Sequence, residues 1–266
     1  MDYKITQIFI YPIKGLAGVE VTEAQVMHRG LEHDRRMMLI DENGLFLSQR
    51  TIPELALFKM KIVKDGYEID YKNQVFNINL NDKMGKGLEV TVWDDDLTCH
   101  EVSEASSAWF CQMTGKKLRL VTMTDASKRV KELKISPYQS DVSLADGYPF
   151  LLLGSASMEE LNTRIGKAIA IERFRANIVI STNEAHEEDK PMDLYNKNGV
   201  QFRVINPCAR CQVVSIDPQD ATISKDVLYE LSKYRKDRNK VNFGANMIAI
   251  NLGKIAVGDI LSIHNS

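Results

Sequence analysis

The 266-residue sequence predicts a mostly β protein with a few helices (α+β), in which an N-terminal β-rich domain precedes a β-barrel domain. Two-residue alternation of apolar and polar side chains dominates the first third. Helical spacing with cap signals recurs in only a few segments, and the second half breaks into short apolar runs separated by turn residues. Many short strands with few helices favour a closed or nearly closed barrel.

In chain order, Met37 to Ile40 and Leu45 to Leu47 flank Asn43-Gly44. Phe58, Met60 and Ile62 alternate with lysines, Asp65-Gly66 supplies a turn, and Tyr67, Ile69 and Tyr71 alternate again, which makes a hairpin. Phe76, Ile78 and Leu80, then Leu88, Val90 and Val92, extend a β-meander. Ser103 as N-cap, Ala105, Ala108, Trp109 and Met113 at helical spacing, and Gly115 as stop predict an amphipathic helix that closes the first domain. Lys117 to Met123 reads as a strand, and the polar Thr124 to Gln139 as a linker or mobile loop. The domains are therefore placed at 1–122 and 123–266. Beyond the linker, DGYPFLLLG carries a buried strand, and Ser157-Met158-Glu159-Glu160 reads as a capping box for a helix ending near Gly166. Strands are expected at Arg175 to Ile180, Val200 to Ile205, Gln212 to Ile216 and Met247 to Asn251, with a helix from about Ser224 to Tyr234.

Lys+Arg number 34 against 36 Asp+Glu, a balance that lacks the basic footprint of a nucleic-acid binder. The longest uncharged apolar runs fall far short of the roughly 20 residues that span a bilayer. The N-terminus lacks a basic stretch followed by a long apolar one, so a cytoplasmic location is expected. Four cysteines in this length make no disulfide framework, and the five histidines show no HxxxH or HExxH pattern for zinc or non-haem iron.

The sharpest local feature is Asn206-Pro207-Cys208-Ala209-Arg210-Cys211. A zinc half-site would need a second close cysteine pair, which Cys99 and Cys111 do not make. A thioredoxin-like pair should open a helix, yet Gln212 to Ile216 reads as strand. Two core cysteines around an arginine would leave that arginine in want of a partner. A soft-metal site, with a thiolate ligand and a neighbouring arginine that stabilises anionic charge, accounts for all these residue types together.

That run, continued as NPCARCQVVSIDP, together with YPIKG at 11–15, GLEHDRR at 30–36 and FRANIVIS at 174–181, resembles the MOSC family with its N-terminal β-barrel domain. In pattern it is similar to the mitochondrial amidoxime-reducing components and their bacterial counterparts, over nearly the whole chain. The resemblance implies a MOSC-type β-barrel domain and a molybdopterin-type molybdenum cofactor bound between the two domains. Cys211 is implied as the molybdenum ligand, with Cys208 as second choice. Arg210 and the backbone around Ala209 are implied contacts of the pterin or its phosphate, as are Lys14, Arg35 and Arg175, while Asn177 completes the last motif. Gly15, Ala209 and the pair Gly147-Tyr148 depart from the hydroxyl-bearing or polar residues of relatives, so main-chain N–H groups would serve at Gly15 and Gly147. The family label also extends to pyridoxal phosphate binding.

The implied activity is reduction of small N-hydroxylated (N–O) substrates. No plant-type CxxxxCxxC run is present, so electrons are expected from a separate ferredoxin- or cytochrome-type partner. The alternative is a carrier of molybdenum cofactor, or of sulfur as a cysteine persulfide. Asp34, His33 and His100 qualify as acids or bases by residue type alone.

Overall fold

The computed structural model describes residues 1–132 and 139–263. Seven strands close into a barrel in the order Phe150–Gly154, Ile178–Ile180, Asp2–Ile10, Ile260–Ile263, Asp193–Tyr195, Gln201–Ala209 and Lys240–Asn251, with Phe150 paired to Met247 to complete the ring. Its interior is filled by Ile5, Ile8, Phe150, Leu152, Ile178, Phe202, Val204 and Met247, the inward halves of alternating strands. The first two strands of that order are parallel, joined through helix α2 (Ser155–Ile165), as parallel neighbours require a crossover.

The strand Asp2–Ile10 comes from the first chain segment but is a stave of this barrel, so the division placed at 122/123 is one of chain order that the fold crosses in space. After Ile10 the chain turns at Tyr11-Pro12 into a second sheet, ordered Gly87–Val92, Asp95–Glu101, Arg119–Thr122, Met37–Ile40 and Ile13–Lys14. Lys14 therefore stands at the seam between the two units. A three-stranded meander of Lys59–Val63, Gly66–Tyr71 and Gln74–Asn79 covers the second sheet with helix α1 (Glu104–Thr114). Phe58 stacks on Tyr71 at 3.9 Å between ring centroids in that core.

Helix α1 follows its sequence signals: Ser103 Oγ accepts from Ser106 N at 3.0 Å, and Gly115 ends the helix at φ 66°. Such a cap contributes about 1 kcal/mol. The strands at Met37–Ile40 and Arg119–Thr122 also lie where alternation puts them, and the third helix, α3, spans Asp226–Tyr234.

Five local expectations are corrected. The hairpin turn sits at Lys64-Asp65, because Gly66 already pairs with Val63. Gly66 is needed for close approach, since a Cβ there would lie 1.8 Å from the Ile78 carbonyl oxygen. Helix α2 begins at Ser155 without a side-chain cap, and Ser157 lies inside it with its hydroxyl on buried Glu188. Gln212–Ser215 forms one 3-10 turn rather than a strand, and Arg175 ends another, Ile171–Phe174, so that strand runs only over Ile178–Ile180. Of the expected linker, Val130–Glu132 pairs with Gln139–Asp141 and Arg129 is buried; residues 133–138 lie outside the described residues. No helix among the described residues is long and apolar enough to cross a membrane.

Candidate functional site

A cleft of about 650 Å³ opens at the seam between barrel and second sheet. Lys14, Gly15, Arg35, Gly147, Tyr148, Arg175, Asn177, Cys208, Ala209, Arg210 and Cys211, all singled out in the sequence, line it. His33, which packs against Tyr67, and His100, near the Gly85 carbonyl, are not among its lining residues.

One half of the cleft is cationic and is built on Tyr11. The guanidinium carbons of Arg35 and Arg175 lie 4.4 and 4.3 Å from its ring centroid. Both arginines hold left-handed backbone, φ 49° and 55°, a conformation that costs about 1 kcal/mol or more outside glycine. Surrounding bonds enforce it. Arg35 N donates to Tyr11 O at 2.8 Å, and fully buried Asp34 accepts from Tyr11 N at 2.8 Å and from Arg35 Nη1 at 2.6 Å. Arg35 Nη2 reaches Arg175 O at 3.1 Å, and Arg175 Nη1 reaches Leu16 O at 2.7 Å. Asn177 is engaged at both ends of its amide, accepting from Leu151 N and Arg35 and donating to Phe9 O, so it ties strands together beneath the arginines.

Burial lowers the Arg175 pKa to about 10, and neighbouring Arg35 adds to the effect. Burial is the largest influence on Arg35 and works against its charge, but Asp34, Tyr11 and Asp146 together outweigh it and raise that pKa. Lys14 is buried, donates to Leu144 O at 2.8 Å and to Asp146, and has its pKa pushed down to about 8 by desolvation that Asp146 only partly offsets. Gly15, at φ 93°, accepts from Gln49 Nε2 at 2.7 Å. A Cβ on Gly147 would meet nothing within 4 Å, so space does not dictate glycine there.

Asp146, unremarked in the sequence, joins the two units. Desolvation would raise its pKa, yet Lys14, Arg50 and Trp93 hold its carboxyl far below the usual range. Arg50 Nη2 bonds Asp146 Oδ2 at 3.1 Å and Cys211 Sγ at 3.2 Å, and its guanidinium lies over Trp93 at 4.7 Å. Cys211, Arg50, Asp146 and Lys14 thus form one continuous polar chain across the seam. Arg129 secures the loop behind it, donating to Ser143 O, Ala145 O and Asp146 O while bonding Asp95 at 2.7 Å.

Cys211 stands at the head of the 3-10 turn Gln212–Ser215, separated by Arg210 from the bulged strand Gln201–Ala209. Bulges at Val204/Asn206 and Pro207/Ala209 break the alternation and re-aim successive side chains toward the cleft. Arg210 donates to Phe174 O at 2.6 Å and to Cys208 Sγ at 3.2 Å, while its buried Nε has no protein partner. The other thiols are structural: burial pushes Cys99 up to about 12, and Cys111 bonds Leu118 O at 3.2 Å.

A second set of lining side chains is uncharged and comes from the barrel domain, with Asp237 and Lys240 also lining the cleft. Asn206, Asn242 and Asn246 line it with Tyr148. Asn246 Nδ2 donates to Asn206 Oδ1 at 2.8 Å, and Asn206 Nδ2 donates to the Tyr148 hydroxyl at 2.9 Å.

The donor set suits an anionic cofactor with its own metal ligands. Lys14, Arg35, Arg50, Arg175, Arg210 and Lys240 line the cleft against Asp146 and Asp237, with Asp34 behind, which leaves positive charge in excess. The lowered Lys14 and Arg175 pKa values and the orphaned Arg210 Nε mark cations that would gain from an anion. No group of three or more His, Cys, Asp or Glu that could hold a metal ion occurs among the described residues, so a thiolate-bound metal would need its other ligands from the cofactor.

Arg50, Asp146, Trp93, Asn242 and Asn246 were missed in the sequence, and Asn206 stood in the cysteine run without a role. The polar run Ser48-Gln49-Arg50-Thr51 between Leu47 and Ile52 and the aspartate preceding Gly147 were the available signals.

Residues 2–117 match the model of the MOSC N-terminal beta barrel domain, and residues 139–262 that of the MOSC domain. The chain is 28% identical to the molybdenum cofactor sulfurase of Homo sapiens, over 93% of this chain and 30% of that protein. It is 30% identical to the Danio rerio molybdenum cofactor sulfurase, over 90% of this chain and 31% of that one. The chain thus spans about a third of the length of these relatives. It is also 28% identical to mitochondrial amidoxime reducing component 2 of Rattus norvegicus, covering 96% of this chain and 81% of that protein. Among solved structures, the YuaD protein of Bacillus subtilis aligns over 100% of this chain and 97% of its own at 10% identity and a TM-score of 0.46.

Proposed function

The chain belongs to the MOSC family, and from that premise we propose that it is a molybdenum-cofactor-dependent oxidoreductase that reduces N-hydroxylated substrates with electrons from a separate donor protein. The observation that carries the reading is the polar chain from Cys211 through Arg50 and Asp146 to Lys14, which places one thiol and a surplus of cations in a single cleft. The similarity to an amidoxime reducing component over 96% of the chain supports the reaction class.

In this reading Cys211 is the metal's protein ligand, and Lys14, Arg35, Arg175 and Arg210 hold the anionic end of the cofactor. The bound cofactor supplies the redox chemistry. Arginine suits the phosphate because its planar fork bonds bidentately, and Lys14 adds a mobile point charge. Arg50 neutralises charge on the Cys211 sulfur and holds it toward the seam. Asp146 fixes Lys14 and Arg50 together, so the barrel and the second sheet present one binding surface. Overall, an N–OH group takes up two electrons and two protons to give N–H and water. A one-electron carrier of ferredoxin or cytochrome type is the donor class, and the four free thiols suit a reducing compartment such as the cytoplasm.

A second reading, a carrier of the cofactor or of persulfide sulfur, is favoured by one observation: about 90% of the chain aligns with part of proteins named molybdenum cofactor sulfurase. Cofactor-loaded protein supplied with a chemical reductant and an N-hydroxylated amidine decides between them. Multiple turnovers with molybdenum retained support the reductase. Rapid loss of molybdenum to an acceptor protein, or cyanide-releasable sulfur on Cys211 without turnover, supports the carrier.

A further inference from the structure

The amide half of the cleft is a directed hydrogen-bond chain. Asn246 Nδ2 donates to Asn206 Oδ1, and Asn206 Nδ2 donates to the Tyr148 oxygen, at 2.8 and 2.9 Å. Each bond fixes the next. Asn206 uses its carbonyl on one neighbour and its amino group on the other, so the Tyr148 hydroxyl is an acceptor toward the protein and keeps its own hydrogen. No acceptor for that hydrogen occurs among the described residues, and Tyr148 lines the cleft that also holds Cys211. The ring is fixed as well, packed against Ile205 and Ile248. The bulge between Val204 and Asn206 turns Asn206 to the cleft while Ile205 packs beneath Tyr148.

The surroundings select a substrate class. Asn206, Asn242, Asn246 and Tyr148 bear no charge, in contrast to the arginines that line the same cleft. A neutral planar group with donors and acceptors side by side matches amide and phenol partners, whereas a phosphate belongs with the cations.

We infer that Tyr148 is a catalytic residue: it donates a hydrogen bond to the N–O oxygen of a neutral amidoxime-like substrate and gives that oxygen a proton as the N–O bond breaks. The inference rests on the reductase reading. Two electrons come from the donor protein, one proton from Tyr148 and one from solvent; the N–O bond breaks, the oxygen leaves as water, and solvent reprotonates the Tyr148 oxygen through the open cleft. Tyr148 is thereby a substrate group and not a cofactor contact.

The test uses molybdenum-loaded wild type, Tyr148→Phe and Asn206→Asp, with benzamidoxime as probe. Tyr148→Phe is expected to keep full molybdenum content, bind benzamidoxime about tenfold more weakly by calorimetry, and lose about 100-fold or more in kcat. Asn206→Asp can only accept, so it captures the Tyr148 hydrogen and is expected to weaken the same binding with molybdenum retained. The inference is overturned if Tyr148→Phe loses molybdenum, which makes it a cofactor contact, or matches wild type in binding and kcat. Wild type that holds molybdenum and binds benzamidoxime without reducing it overturns the reductase reading and the proton transfer together. Wild type that turns over benzamidoxime while Tyr148→Phe does so equally well overturns only the inference.

Discussion

In the cationic half of the cleft, Lys14, Arg35, Arg175 and Arg210 are each anchored by backbone carbonyls, with Asp34 and Asp146 as the carboxylates nearest them. In the amide half, Asn246, Asn206 and Tyr148 bond to one another and leave a hydroxyl hydrogen to spare. The first arrangement holds fixed charge that burial makes costly without an anion, as the lowered pKa values of Lys14 and Arg175 record. The second holds neutral dipoles whose cost is small when empty. A resident, permanently bound group suits the first, and a ligand that comes and goes suits the second.

The comparison breaks most readily at Arg175. Arg175→Ala should reduce retention of the cofactor about 100-fold or more, since truncating one partner of a buried, hydrogen-bonded charge pair costs several kcal/mol. Molybdenum content after gel filtration, with the fold checked by circular dichroism, measures it; unchanged content would remove Arg175 from the anion site. Lys14 gives a smaller and pH-dependent effect. Burial places its pKa at about 8, so its charge is present below that pH and lost above it. Affinity of cofactor-free protein for a phosphate monoester, whose second ionisation is complete by about pH 7.5, should fall by up to tenfold per unit as pH rises past about 8. Lys14→Arg should flatten that fall, and an equal slope in both proteins would locate the titration elsewhere. The smallest effect belongs to Asn246→Ala, which should raise KM for an amidoxime severalfold, with molybdenum content unchanged, by loosening Asn206. A loss of molybdenum there would erase the distinction between the two halves.

Legibility in the sequence divides along the same line. The Cys208 to Cys211 loop has residue types that are hard to explain as core, while Lys14, Arg35 and Arg175 stand out only in the short runs that carry the family resemblance, and all of them line the cleft. Arg50 and Asp146 lie in unremarkable polar loops. Their significance comes from a contact across 96 residues of sequence, which no local pattern encodes. The role of Asn206 was hidden because bulges in Gln201–Ala209 break the period that tells inward from outward positions, and Asn242 and Asn246 face it only through strand pairing with Lys240–Asn251. Alternation located most strands, yet it could not tell which sheet Asp2–Ile10 would join, because register and partner are set by tertiary packing. Gln212 to Ile216 misled for a related reason: Val213, Val214 and Ile216 favour strand, but Val214 is buried against helix α3 from within a single helical turn.

The central claim is that Cys211 anchors a molybdenum cofactor at the head of this cleft. The direct measurement is the metal content of wild type, Cys211→Ser and Cys208→Ser made in a host able to synthesise the cofactor. The account predicts near-stoichiometric molybdenum in wild type and Cys208→Ser, and its loss in Cys211→Ser alone. Molybdenum absent from all three, or retained by Cys211→Ser, would contradict it.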